Sequence, residues 1–210
     1  MTAAPLIHIV DDDEPMRSAL LRLLVEASFE ARAYGSAGEF FLQPLPDRPG
    51  CLLLDVRLPG PSGLELQAAL QRRQVVLPVI FMTGYGDVAS CARAMKAGAV
   101  DFLEKPIEPE MLFTAIGSAL ARDESRRAVR EVENGLHERL ALLSGRQREV
   151  FDRVVKGKLN KQIANELRVS ERTVKTLRAE VMANLGARSA AELGARAEQF
   201  RRLSGRDDAP

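Results

Sequence analysis

Between residues 6 and 120, five short apolar runs alternate with five amphipathic stretches, and this alternation leaves little choice of fold. The runs are 6–10, 29–34, 52–56, 75–82 and 99–103. Runs this short, separated by helical periodicity, predict parallel strands joined by helical crossovers, with helices on both faces of the sheet. The run Leu52-Leu53-Leu54-Asp55-Val56 lies between Pro49-Gly50 and Pro59-Gly60 and reads as the central strand, buried on both faces. Glu14 and Pro15 open a first helix with Met16, Leu20, Leu23 and Leu24 as its stripe. Ser36, with Glu39 three later, predicts a capping box before the second. The third carries Leu64, Ala68 and Leu70. The fourth is capped by Asp87, turns Val88, Cys91, Ala92 and Met95 inward, and closes at Gly98. The fifth has Met111, Leu112, Ala115, Ile116, Ala119 and Leu120 on one stripe and runs on into a charged stretch, with a break expected at Asn134-Gly135.

Ligands bind at the carboxyl ends of the strands in sheets of this class. Asp11, Asp12, Asp13, Asp55, Thr83 and Lys105 all fall just past a strand. A single aspartate there is usually a turn former or a cap, and Asp13 can be either a cap or a site residue. Together these residues point to chemistry. Crowded carboxylates call for a cation, and an oxygen-rich set suits Mg²⁺. An aspartate can act as nucleophile and form an aspartyl-phosphate. Lys105 and Thr83 would then meet the phosphoryl oxygens.

The charge is divided along the chain. Residues 1–139 carry 15 basic and 20 acidic groups, a net −5, whereas residues 140–210 carry 15 and 9, a net +6. The basic part favours a polyanionic partner. In it, Ser144 with Gln147 predicts a capped helix bearing Val150, Phe151, Val154 and Val155. Asn160 is the expected cap of a second helix and Ser170 of a third over 171–185. Ser189 with Glu192 opens a last one. Two short helices around a tight turn predict helix-turn-helix, with Arg172, Thr173, Lys175, Thr176 and Arg178 facing outward. Cys51 and Cys91 fit no zinc spacing and are expected buried and reduced. No charged-then-apolar leader and no run of 18 apolar residues is present, so the expectation is a soluble, cytoplasmic chain with no membrane partner.

Residues 5–120 resemble the receiver domain of two-component response regulators, on Ile9-Val10-Asp11-Asp12-Asp13, Leu54-Asp55-Val56-Arg57-Leu58-Pro59-Gly60, Thr83-Gly84 and Glu104-Lys105-Pro106. Met82 to Val88 and Ala94 to Phe102 resemble the FixJ branch of that family. The resemblance implies a flavodoxin-like sheet in the order 2-1-3-4-5 and Asp55 as phosphoacceptor for a sensor histidine kinase. It implies Mg²⁺ held by Asp12 and Asp55 directly, by Asp11 through water and by the Arg57 carbonyl. Thr83 and Phe102 match the switch pair, Lys105 the phosphoryl-stabilising lysine, and Pro106 the proline after a cis bond. Phosphorylation would drive a homodimer through the helix-4 and strand-5 face.

Residues 142–194 resemble the LuxR/FixJ-type DNA-binding domain, on Leu143 to Val150, Gly157 to Ala164, Val169 to Lys175 and Leu185 to Ser189. This implies a four-helix unit that binds promoter DNA through Lys161, Thr173, Lys175, Thr176, Arg178 and Arg188. Activation of transcription with RNA polymerase follows from the resemblance, and no enzymatic turnover beyond slow self-dephosphorylation. Leu177 stands where the family has His, and Asn184 where Lys is common. Both changes predict weaker phosphate attraction or altered target preference. The expected layout is a receiver over 1–121, a linker helix over 122–139, the DNA-binding domain over 140–200 and a disordered tail over 201–210. Two rival readings are a DNA-binding protein indifferent to phosphorylation and a Mg²⁺-dependent phosphatase. The first leaves the intact acidic set unused. The second lacks a substrate-enclosing cap and leaves the basic part unexplained.

Overall fold

A computed structural model describes residues 4–84, 88–189 and 191–198, with backbone only for 88–90. The described chain divides into two compact units between Arg127 and Ala128. In the first, the described strands are β1 (Leu6–Val10), β2 (Glu30–Tyr34), β3 (Gly50–Asp55), β4 (Val79–Thr83) and β5 (Asp101–Glu104). They form one parallel sheet in the order β2-β1-β3-β4-β5. Every residue of β3 is buried, which is why its sequence runs apolar without alternation.

The helices are α1 (Glu14–Glu26), α2 (Ala37–Leu42), α3 (Gly63–Arg72), α4 (Val88–Lys96) and α5 (Pro109–Ala141). Ile7, Ile9, Cys51, Leu53, Ile80 and Met82 meet α1 and α5 through Leu20, Leu24, Leu112, Ile116 and Ala119. Val10, Leu52, Leu54 and Phe81 meet α2, α3 and α4 on the other face through Phe40, Leu66, Leu70 and Ala94.

Several local expectations need correction. The fourth strand begins at Val79, not Val75, because Pro78 has no N–H for the ladder, although its carbonyl accepts from Leu52 N–H at 2.8 Å. Val75 and Leu77 are apolar because they pack on the core from the connection. The fifth strand starts at Asp101 rather than Ala99. In α3 the fully buried stripe is Gly63, Leu66, Gln67 and Leu70, with Leu64 and Ala68 half-buried. In α4 it is Ala94 that is buried. Met95 is 45% exposed, Ala92 is exposed and Cys91 is half-buried, so only Cys51 of the two thiols is buried. Met111 also points outward. Phe102 is half-buried. Asp87, the side chain of Val88, Tyr85 and the 201–210 segment lie outside the described residues.

The Ser36 hydroxyl accepts from Glu39 N–H at 3.1 Å, but the Glu39 carboxylate takes the N–H of Gly35 rather than that of Ser36. The full box belongs to Ser62 and Glu65, at the start of α3. Helix α5 runs for 33 residues straight through Asn134-Gly135. A helical glycine is unfavourable by about 1 kcal/mol, and the burial of Leu136 and Leu140 just beyond it offsets this. Nor is the stretch after residue 121 uniformly solvated. Asp123 is buried, accepts from the N–H of Gly50 at 3.1 Å, and pairs with Arg127 Nε at 2.8 Å. Arg127 also donates to Asp47 at 2.7 Å and to the Arg48 carbonyl at 2.6 Å.

The second unit contains α6 (Gly145–Val154), α7 (Asn160–Leu167), α8 (Glu171–Asn184) and a helical stretch over 191–198. Val150, Phe151, Ile163, Val174, Val181, Leu185 and Leu193 form its core, closed by Leu136 and Leu140. Ser144 and Gln147 make both bonds of a capping box. The turn between α7 and α8 places Arg168 at φ 54° before Ser170, whose hydroxyl accepts from Thr173 N–H at 3.0 Å. Two helices around this turn form a helix-turn-helix.

Candidate metal centre and nucleic-acid interface

β1 and β3 are neighbours, with Val10 opposite Leu54, so the next residues, Asp11 and Asp55, emerge side by side at the carboxyl edge of the sheet. Carboxylate oxygens of Asp11, Asp12 and Asp55 lie within 4.8 Å of one another. Asp11 and Asp55 are buried and Asp12 is exposed, which gives the cluster an open side. Lys105, just past β5, reaches in with its Nζ 2.6 Å from Asp11 Oδ2 and 2.5 Å from Asp55 Oδ2. The remaining oxygens are oriented by backbone: Asp13 N–H donates to Asp11 Oδ1 at 2.9 Å and Arg57 N–H to Asp55 Oδ1 at 2.9 Å. The Lys105–Pro106 peptide is cis.

Thr83 ends β4 and is 2% exposed. Its hydroxyl donates to the Gly84 carbonyl at 3.2 Å, and its own carbonyl accepts from Lys105 N–H at 2.7 Å. Phe102 stands opposite Phe81 in the β4–β5 pair. Asp13 is the N-cap of α1, accepting from Met16 N–H at 3.3 Å, so it serves the helix while its amide serves Asp11.

Burial pushes the Asp11 carboxyl above its ordinary range. The Lys105 ammonium and the Asp13 amide partly offset this, and the charge of Asp55 adds to it. Burial pulls Lys105 down, but its bonds to Asp11 and Asp55 outweigh that and hold the ammonium above its usual value. Three carboxylates facing one ammonium leave an excess of negative charge. That donor set, all oxygen with an exposed member, can hold a hard divalent cation.

Sequence reading overlooked two supports of this site. Arg17, one turn into α1, donates to the Asp11 carbonyl at 2.7 Å. Gly63 packs so tightly under Asp55 that a Cβ would sit 2.1 Å from the Asp55 carbonyl oxygen. The Ser62-x-x-Glu65 signature marks the start of α3 and could have drawn attention to Gly63. Nothing in the sequence signals the Arg17 contact.

In the second unit Lys161, Arg172, Thr173, Lys175, Thr176 and Arg188 are exposed, and Arg178 is half-buried. Thr173 Oγ1 lies 2.8 Å from Ser170 Oγ, and the Thr176 hydroxyl donates to the Arg172 carbonyl at 3.2 Å. Arg188 N–H is held by Glu192 at 2.7 Å. Leu177 packs against the core, so the position where the family has His contributes packing here. Asn160 does not cap α7. Leu159 occupies that position, its N–H bonded to Gln162 at 2.9 Å, and the Asn160 carboxamide oxygen accepts from Arg178 at 2.9 Å. Among the described residues, no helix is long and apolar enough to cross a membrane.

Residues 7–117 match the response regulator receiver domain, and residues 141–197 match the bacterial regulatory proteins of the luxR family. Nodulation protein W of Bradyrhizobium diazoefficiens is 43% identical over 188 residues, covering 90% of this chain and 83% of that protein. The transcriptional regulatory protein FixJ of Rhizobium meliloti is 44% identical over 184 residues, covering 87% and 90%. Among solved structures, the response regulator StyR is 40% identical with a TM-score of 0.82, covering 94% of this chain and all of that one. Full-length FixJ from B. japonicum is 38% identical with a TM-score of 0.58, covering 96% and 99%. An aspartate cluster at the edge of a 2-1-3-4-5 sheet, followed by a helix-turn-helix unit and matched across both by these relatives, places this chain in the family of FixJ/LuxR-type two-component response regulators.

Proposed function

We propose that Asp55 accepts a phosphoryl group from a sensor histidine kinase, and that the modified chain dimerises and binds promoter DNA to activate transcription. The observation that carries this is the position of Asp55: last residue of the central strand, one carboxylate oxygen on the Arg57 amide, the other on Lys105. An Asp55 oxygen attacks phosphorus, the P–N bond to the donor imidazole breaks, and the electron pair leaves with the ring nitrogen, which is then protonated. Asp11, Asp12 and Asp55 would hold Mg²⁺, with the Arg57 carbonyl as a further ligand. When bound, the ion neutralises charge on the phosphoryl oxygens. Lys105 follows the new charge outward from its two carboxylates. The Thr83 hydroxyl exchanges the Gly84 carbonyl for a phosphoryl oxygen, and Phe102 repacks behind it. The α4 and β5 face, where Met95 is exposed, supplies the dimer surface. Paired α8 helices would read two half-sites, with Lys161, Thr173, Lys175, Thr176 and Arg188 toward the duplex and RNA polymerase recruited beside them. This takes place in the cytoplasm, and its role is regulatory rather than catalytic.

Intact mass and solution molecular weight test the reading, with Mg²⁺ and acetyl phosphate as the probe. A phosphoryl adduct and a shift toward dimer, both lost in Asp55→Ala, are the expected outcome. An unmodified wild-type chain would remove the phosphorelay from the reading.

A further inference from the structure

Arg178 lies on the recognition helix, yet its position does not suit a DNA contact. The core-facing residues of α8 include Val174, Leu177 and Val181, and Leu185 follows at its C-cap. Arg178 stands four residues after Val174 and three before Val181, on the same face. It is half-buried, while Arg172, Thr173, Lys175 and Thr176 are exposed. Its Nη1 donates to the Asn160 carboxamide oxygen at 2.9 Å, across the helix-turn-helix from α8 to the first turn of α7. Asn160 is available for this because the helix start is served by Leu159 and Gln162 instead. The bond is charge-assisted.

We propose that Arg178 and Asn160 form a positioning pair that sets α8 against α7, and that Arg178 makes no DNA contact of its own. This rests on the reading of the second unit as a DNA-binding domain. The pair acts by holding α8 at the angle that brings the short side chains of Thr173 and Thr176 onto the duplex, contacts that are lost together when the helix shifts by a fraction of an ångström, while the flexible Lys175 stem follows its phosphate.

Salt dependence separates the two roles. A cation that meets a phosphate contributes about 0.9 to the slope of log K against log salt, whereas a positioning pair changes affinity and leaves the slope alone. The probe is a duplex enriched from random sequence by the full wild-type chain, read by fluorescence anisotropy across a salt series. Arg178→Met and Asn160→Ala should each weaken binding about tenfold with the wild-type slope. The double variant should bind no more weakly than either single one, because both remove the same bond. Arg178→Lys should recover part of the affinity, and Lys175→Met should lower the slope by about one. A slope loss in Arg178→Met equal to that of Lys175→Met overturns the proposal. So does additivity in the double variant, or relaxed discrimination at a single base pair in Arg178→Met. If Arg178→Met fails to fold by circular dichroism, Asn160→Ala decides alone. It keeps the cation, so wild-type affinity in that variant overturns the pair. A wild-type chain that enriches no duplex defeats the DNA-binding reading and the pair with it. Wild-type binding with an altered slope in Arg178→Met defeats the pair only.

Discussion

The two ends of β3 carry nearly the same chemical groups and do different things with them. At the carboxyl end, Lys105 bridges Asp11 and Asp55. At the amino end, Arg127 bridges Asp123 and Asp47. The difference lies in how completely each set is satisfied. Arg127 places a planar fork on two carboxylates and the Arg48 carbonyl, while Asp123 also takes the Gly50 amide. That arrangement closes over the buried Asp123, with Asp47 exposed at its rim, and rigid guanidinium geometry suits it. The carboxyl end has a compact ammonium for three carboxylates, so more negative charge is left over there. A reactive site therefore differs from a structural one by what remains unsatisfied, not by the residues it is made of.

Exchanging the acids sharpens the contrast most. Asp55→Asn should abolish the acetyl-phosphate adduct in intact mass while leaving the thermal midpoint near wild type. Asp123→Asn should keep the adduct. An adduct that persists in Asp55→Asn would mean that another carboxylate takes the phosphoryl group.

Midway between the two ends, His8 on β1 lies opposite Leu52 of β3, buried and bonded to the Tyr34 hydroxyl at 3.1 Å. Burial, with Arg32 and Arg48 nearby, lowers its pKa from 6.5 to about 4. The folded state holds this ring neutral while the unfolded chain protonates it. Its stabilising effect is thus complete above about pH 6.5 and is lost as pH falls toward 4, by at most about 3 kcal/mol. Urea midpoints at about pH 7 and 4.5 for wild type and His8→Gln isolate this from the carboxylates. Equal acid sensitivity in both proteins would show that His8 does not carry the effect.

The closed end should matter for stability alone. Arg127→Met leaves the buried Asp123 without its cation and should lower stability by about 2 kcal/mol, measured by urea unfolding, with no change in Mg²⁺ affinity. The open end should behave in reverse. Lys105→Met removes a competing charge and should tighten Mg²⁺ by about tenfold in calorimetric titration. Unchanged Mg²⁺ binding in that variant would mean that lysine and metal do not share the carboxylates.

Much of this was readable from residue order, because the informative groups follow strands closely. Asp11, Asp55, Thr83 and Lys105 each end or follow an apolar run, and a parallel sheet gathers such positions at one edge. Leu6–Val10 was legible to the residue because the whole run is buried. The α4 periodicity fits more than one stripe, so the expected face differs from the observed one. Small side chains, Ala94 above all, meet the sheet there, while the larger Met95 faces out. The Asp123–Gly50 bond and the Asn160–Arg178 bond were invisible, since each joins residues with no shared periodicity to announce them.

The Asp123 bond also bears on how such proteins can be recombined. A chimera that joins this receiver to a foreign output domain at residue 121 discards Asp123 and Arg127. It leaves the Gly50 amide without its acceptor at the root of β3. The graft point that preserves the receiver lies beyond Arg127, so the first turns of the apparent connector travel with the donor and not with the recipient.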